Sequence, residues 1–449
     1  MSKTAVQYYH DLLSDAMALD SQVQLDDQMQ RRGLFFGDRP LSTVLRPRFL
    51  GFQEFRYIQQ RVALILRAFD KIHRAGTVSP TFRQQFGLTD WEEELVTFDP
   101  GFRSPTPLSR LDTFFIPDSF ELKLTEYNAE TPAAPAYNDV LSSVFSGLPV
   151  MGEFMKRYQV RPLPARVDVL HTLLDCYKQW LGRYARPNIA ILDWREVPTY
   201  SEFELFFNYF QAQGLNCVIA DPREVEYRNG RLYAGEFAID LIYKRVLLSE
   251  LVEWGGLQSD VVRAVRERAV CMVNPFTCKM LYKKASLAVL SDERNAHLFE
   301  DDEYKAIQDH VPWTRLVEER KTYFHNREGD LIPFIVANRE RLVLKPNDDY
   351  GGKGIVLGWT VDNAAWEAAV QTALQAPHIV QERISIPSEP YPSLVDGHVH
   401  FIDRLFDTAP FCFYGSFMSS ALTRLSTVDL LNVTAGGGSS VPTFVIDYR

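Results

Sequence analysis

The sequence predicts a multidomain α/β protein, and three observations carry that prediction. At 449 residues the chain exceeds one ordinary core and can hold two or three domains. Short apolar runs ending on charged residues alternate with helical periodicity through residues 165–275, the pattern of a parallel sheet. A strand–turn–strand pattern lies at 111–128, and mixed strands and helices return over 276–449.

Bulk properties narrow the class further. A composition of 46% hydrophobic and 24% charged residues, with 30 Phe and 20 Tyr, is that of a soluble globular chain and argues against disorder. The net charge of −10 argues against a nucleic-acid backbone as the main partner. Five scattered cysteines form no CxxC pair, so neither a disulfide framework nor a zinc site is indicated. MSKTAVQYYHDLL has no apolar signal region, and no run of eighteen apolar residues occurs, so no membrane partner and a cytoplasmic location are expected.

Taken in order, Tyr8–Met17 and Phe52–Ile72 show apolar positions recurring at three and four, which predicts helices. The polar stretch DSQVQLDDQMQRRG between them reads as a solvated face or loop. Phe114-Phe115-Ile116, Pro117-Asp118-Ser119 and Glu121–Leu124 read as strand, turn and strand. In the middle unit, strands are expected at Asn188–Leu192, Cys217–Ala220 and Ile239–Tyr243, with a helix over Ser201–Gln213 and a hairpin around Asn229-Gly230. The last region offers strands at Arg341–Lys345, Ile355–Trp359, Ile379–Gln381 and Phe411–Met418, and a helix near Ala364–Leu374. The expected division is 1–165, 166–275 and 276–449.

Two segments have chemical content. In VLKPNDDYGGKGI, Lys345 ends a strand, so the sheet fixes where its ammonium points. Gly351, Gly352 and Gly354 would let the backbone approach phosphate oxygens. A P-loop is excluded, because Asn347 stands where the first glycine belongs and Gly354 replaces the Ser or Thr. A plain hairpin with a glycine-rich tip is the alternative.

The second segment is Arg110-Leu111-Asp112 and Glu126-Tyr127-Asn128. Positions two apart on a strand share a face, so Glu126 and Asn128 point together. If the strands pair across the short turn, Asp112 joins them. Two carboxylates, an amide oxygen and a guanidinium at one place suit Mg²⁺ beside a phosphate, or else a strand-end salt bridge.

Together these segments resemble the circularly permuted ATP-grasp ligases, the group of glutathione synthetase and glutathionylspermidine synthase-like proteins. The matching motifs are Arg110/Asp112, Glu126/Asn128 in EYNAETPAA, Lys284 in YKKASLAVL, Lys345 in VLKPNDDYGGKG, and Asn432 with Gly436–Gly438 in NVTAGGG. They span most of 105–445, with the metal motifs before the lid, as in the permuted branch. The resemblance implies a permuted ATP-grasp with a helical N-terminal region and a Rossmann-like inserted substrate domain.

It implies roles as well. Asp112, Glu126 and Asn128 would hold Mg²⁺, with Asp349 as a further ligand. Lys284 and Lys345 would bind ATP phosphates beneath a lid of Gly351, Gly352, Lys353 and Gly354. Gln381, Glu382 and Ile384 match the hinge that contacts adenine, and Arg110, with Lys345, would serve the chemical step. The activity implied is ADP-forming ligation of a small carboxylate to an amine, possible on a peptide or polyamine. A small-molecule kinase and a non-catalytic nucleotide-binding protein are the alternatives, and a homo-oligomer is compatible with any of them.

Substrate-selecting candidates lie at strand ends of the middle unit. Arg195, Lys244 and Arg245 could clamp an anion, and Asp193 or Glu196 could receive an amine. Thr131–Pro135 is a small-residue turn that either lines the acyl site or turns the chain.

Overall fold

The computed structural model describes residues 2–324, 327–349, 352–428 and 438–449. Gly351, Asn432, Gly436 and Gly437 lie outside the described residues, so the part assigned to them above has no structural account here. Among the described residues no helix is long and apolar enough to cross a membrane.

Three sheets position the site. The largest has nine strands, in the order Ser388–Val395, His398–Phe406, Phe417–Ser426, Ala409–Phe413, Leu108–Ile116 and Glu121–Asn128. Ser439–Tyr448 branches from Phe417–Ser426 and pairs on with Arg48–Gly51 and Tyr158–Pro162. Strands from both ends of the chain therefore share one sheet, which crosses the division expected at 276.

The helix Phe52–Val78 underlies the 108–128 hairpin. Its buried Phe55, Ile58, Val62, Ile65, Phe69 and Ile72 recur at three and four, which makes one apolar stripe. That stripe packs on Leu111, Phe115, Leu122, Leu124 and Tyr127, and the rings of Phe69 and Tyr127 stack at 4.2 Å. Because strand side chains alternate, burying Leu111 and Tyr127 on the helix turns Arg110, Asp112, Glu126 and Asn128 to the opposite face.

The middle unit is a four-stranded parallel sheet, ordered Cys271–Val273, Leu241–Lys244, Ile189–Leu192, Cys217–Ala220. Ile189 and Ile191 pack with Phe203, Phe206 and Phe210 on one face, while Ala190 and Leu192 pack with Val261 and Val262 on the other. Helices thus cover both faces, which explains the continuous apolar runs.

The third sheet is antiparallel: Thr314–Leu316, His378–Glu382, Leu342–Pro346, Val356–Leu357. Leu342, Leu344 and Val380 pack beneath the helices Leu331–Ala337 and Asn363–Gln375 through Leu331, Ile335, Trp366 and Val370. The alternate positions Val343, Lys345 and Gln381 therefore face the other way.

Some expectations need correction. The polar stretch after residue 19 is helical: Asp15–Arg31 buries Ala18, Ser21, Leu25 and Met29 as a narrow stripe, and the rest is its solvated face. Tyr8–Met17 is not one helix, because Ser14 accepts from the Met17 N–H and starts a second one. Phe411–Met418 is the turn of a hairpin, with Tyr414 and Gly415 at φ 56° and 62°. Ile239–Tyr243 splits at Asp240, where Phe237–Ile239 leaves a small antiparallel sheet and Leu241–Lys244 enters the parallel one.

Candidate functional site

The hairpin pairs Arg110 with Asn128 and Asp112 with Glu126, and its register shifts after Asp112. Asn274 ties the two strands at their open end. Its amide nitrogen donates to the carbonyls of Leu108, Ala129 and Glu130 at 2.6, 3.0 and 2.8 Å, and its oxygen accepts from the Leu108 N–H at 3.0 Å.

Asp112 organises two arginines. Arg110 donates Nε and Nη2 to its two oxygens at 2.8 and 3.2 Å and Nη1 to the Ala133 carbonyl at 2.9 Å. Arg424 approaches Asp112 Oδ2 at 2.7 Å while donating Nε to Asp407 at 2.6 Å, and Asn128 Nδ2 donates to Asp112 at 2.9 Å. Burial alone would raise the Asp112 carboxyl, yet the guanidiniums of Arg110 and Arg424 hold it well below the usual carboxylate range. Burial lifts Asp407 above its ordinary value against the pull of Arg424, and Asp112 adds to the rise. Arg424 and Asp407 have no local motif, and nothing in the sequence pointed to them.

Facing the hairpin are the two lysines. Lys284 sits 3.1 Å from Glu126 and donates to the Asp349 carbonyl. Lys345 donates to Gln381 Oε1 at 2.7 Å and to the Thr125 carbonyl at 3.3 Å. Burial lowers Lys345 to about 8, with Glu126 opposing the shift and Lys284 assisting it. Four cations (Arg110, Arg424, Lys284, Lys345) thus meet three carboxylates (Asp112, Glu126, Asp407), an arrangement that favours an arriving anion.

Between the hairpin and the third sheet lies a cleft of about 240 Å³, bordered by Arg110, Asp112, Glu126, Asn128, Lys345 and Gly352. Gln381, Glu382 and Ile384 border it as well, together with the apolar Phe114, Val343 and Leu357. Gln381 also donates Nε2 to Thr314 at 3.1 Å, so its amide is fixed in the orientation that receives Lys345. The sequence-based set therefore converges on the cleft, except for Lys284, which reaches it through Glu126, and for the lid. Asp349 is half-buried and enters through its carbonyl, while Lys353 and Gly354 are exposed and do not border the cleft. Gly354 nonetheless has a tight place, with φ +67° and a Cβ there falling 2.6 Å from Pro346 Cγ.

Glu126 and Asn128 offer hard oxygen donors from one strand face, and this chemistry fits Mg²⁺. Among the described residues no three His, Cys, Asp or Glu side chains form a metal-binding group. Mg²⁺ held by one or two carboxylates and nucleotide phosphates needs no such group.

A buried ionic network lies behind the site. Glu130 is fully buried, 3.2 Å from Lys244 and 3.4 Å from Lys279. Lys279 and Lys283 both reach Asp348, at 2.8 and 2.9 Å. Burial would raise the Asp348 carboxyl, but these lysines hold it at about 2. Asn347 accepts from the Ala285 N–H at 2.8 Å and donates to the Phe86 carbonyl at 2.9 Å. Consecutive residues after Lys345 are thus clamped to the helix start that carries Lys284.

The strand-end candidates divide. Lys244 is spent on Glu130 and the Val246 carbonyl, so it is no anion clamp. Arg195 pairs with Glu224 and Glu196 with Arg223 at the surface. Asp193, Arg245 and the Thr131–Ala134 turn line a second cavity, described below.

No family model matches the chain, and no curated protein matches its sequence. Among solved structures, the apo glutathione synthetase-like effector of Globodera pallida superposes with a TM-score of 0.60 at 12% identity. The match covers 96% of this chain and 98% of that one. A RimK-domain ATP-grasp protein from Sphaerobacter thermophilus (TM-score 0.27, 17% identity, 57% and 90% of the two chains) aligns too loosely to support anything. So does D-alanyl-alanine synthetase A of Vibrio cholerae (0.26, 11%, 50% and 67%). The full-length superposition shows a shared fold, multidomain and α/β.

Proposed function

We propose, from this shared fold and the residues gathered at the cleft, that the chain is a circularly permuted ATP-grasp enzyme, an ATP-dependent, ADP-forming carboxylate–amine ligase. The observation that carries the reading is Lys345, a desolvated ammonium held by neutral oxygens and facing a hairpin of paired carboxylates and guanidiniums. That arrangement receives phosphate.

In this reading the adenine lies along Val343, Leu357 and Ile384, with Glu382 at the hinge, and Lys284 and Lys345 take the phosphates. Gly352, Lys353 and Gly354 close over them. Glu126 and Asn128 would hold Mg²⁺, with Asp112 and Asp349 as further candidate ligands. Bound there, Mg²⁺ supplies charge neutralisation on the phosphate oxygens.

A substrate carboxylate oxygen attacks the γ-phosphorus and the bond to ADP breaks. The resulting acyl phosphate presents its charge to Arg110 and Arg424. The amine nitrogen then attacks the acyl carbon, phosphate leaves, and the amine gives up a proton. No protein nucleophile takes part.

The reading is tested by melting the protein with and without Mg²⁺-ATP at millimolar concentration. A rise in Tm of a few degrees is expected, and Glu126→Gln should lose the magnesium-dependent part of it. A protein indifferent to nucleotide has no such site.

A further inference from the structure

Beside the nucleotide cleft lies a second cavity of about 310 Å³, and Arg110, Asn128 and Arg424 border both. A group at that shared border would touch the phosphate-handling side chains directly. Most of the cavity wall is apolar, formed by Phe36, Leu41, Tyr137, Val197, Leu247 and Leu422.

One wall is the Thr131–Ala134 turn, pinned at two points. Arg110 holds the Ala133 carbonyl, and Arg245 holds the Pro132 carbonyl, each at 2.9 Å. Ala134 is held at φ +86°, a conformation non-glycine residues keep only where their surroundings enforce it.

Near Arg245 the polarity reverses. Trp194 sets two carboxylates together, since its backbone N–H donates to Asp193 at 2.8 Å and its indole N–H to Glu250 at 3.1 Å. Both acids border the cavity. Arg245 acts on Asp193 but is spent on Glu202, the Tyr243 hydroxyl and the Pro132 carbonyl. Its Nε, on a side chain 3% exposed, has no hydrogen-bond partner among the described residues. Burial pushes Asp193 up to about 7 against the Trp194 N–H and Arg245, with Glu250 adding to the rise. An arriving ammonium would relieve that cost.

We propose that this cavity seats the acid substrate, and that Asp193 and Glu250 select one bearing a protonated amine at the end remote from its reacting carboxylate. The chemical class is a small zwitterion of amino-acid to dipeptide length with an apolar body. The carboxylate meets Arg110 and Arg424, the apolar body fills the middle, and the ammonium lies against the two acids. This rests on the ligase reading for the carboxylate's fate, while the seating itself does not.

The test uses leucyl-leucine and N-acetyl-leucyl-leucine, measured by calorimetric binding and by ADP release with Mg²⁺-ATP and an amine panel. The free-amine peptide should bind at least about tenfold more tightly, a factor one well-placed charged contact supplies. Asp193→Asn should raise its KM by about tenfold, leave kcat near wild type and leave the N-acetyl peptide unaffected. Glu250→Gln should act in the same direction, and serves if the first variant does not fold. A merely structural role for these acids would move both peptides equally. Equal binding of the two peptides, or binding of neither, overturns the inference. ADP release that ignores the amine leaves ligation standing without this selectivity. Amine-selective binding without ADP release keeps the cavity and removes ligation.

Discussion

Lys345 is half-buried and Lys279 is buried within one neighbourhood, yet the chain treats the two lysines in opposite ways. Lys279 is 1% exposed and lies among Glu130, Asp348 and Glu92, which outweigh its burial and raise its pKa. Lys345 has neutral partners, a glutamine oxygen and a backbone carbonyl, and its pKa falls. A lysine that holds the fold together is neutralised in advance. One that waits for a phosphate is left with its charge unspent.

The largest effect separating them is on stability. Lys279→Met leaves Asp348 and Glu130 short of a partner in the interior and should cost about 3–5 kcal/mol in urea unfolding. Lys345→Met removes a desolvated charge and should not lower the unfolding free energy at neutral pH. On activity the order reverses: Lys345→Met should lower ADP release by about a hundred- to a thousandfold, as loss of one positioned donor does. If Lys345→Met instead unfolds the protein, the comparison breaks.

The pH dependence sharpens it. Lys345 titrates at about 8 in the folded chain and near 10.5 unfolded, so between those values the unfolded chain binds more protons. Stability attributable to this group therefore rises with pH from about 8 and levels off above 10.5. Wild-type stability measured against Lys345→Met should rise over that window and stay flat below it.

Smaller effects follow at the lid and the surface. Gly354→Ala forces a side chain into a left-handed conformation and onto Pro346, for about 1–2 kcal/mol of local strain that should appear as a higher KM for ATP. Arg195→Ala removes an exposed pair with Glu224 and should change stability by less than about 1 kcal/mol, with turnover unaltered.

The same contrast explains what could be read from the chain. Arg110, Asp112, Glu126 and Asn128 were legible because strand alternation is local and a short turn closes the hairpin. Lys345 was legible because a strand-ending lysine points where its sheet fixes it; of its glycines, Gly352 borders the cleft and Gly354 does not. Arg424, Asp407 and Asn274 were not, since each matters through partners far away in sequence and carries no signature of its own. Lys279 and Lys283 lie beside Lys284 and all three are buried; only their partners distinguish them, Asp348 and Glu92 for the first two and Glu126 of the hairpin for Lys284. At Phe411–Met418 the chain continues apolar through a turn, so periodicity missed the hairpin even though Tyr414-Gly415 marks it.

The most direct test of ligation is to incubate the protein with Mg²⁺-ATP and a panel of carboxylic acids against amines, following nucleotide and product by mass. ADP, phosphate and a new amide in equal amounts, all lowered about a hundredfold or more in Lys345→Met, is the predicted result. A stable phosphorylated product, or no ADP with any pair, would contradict it.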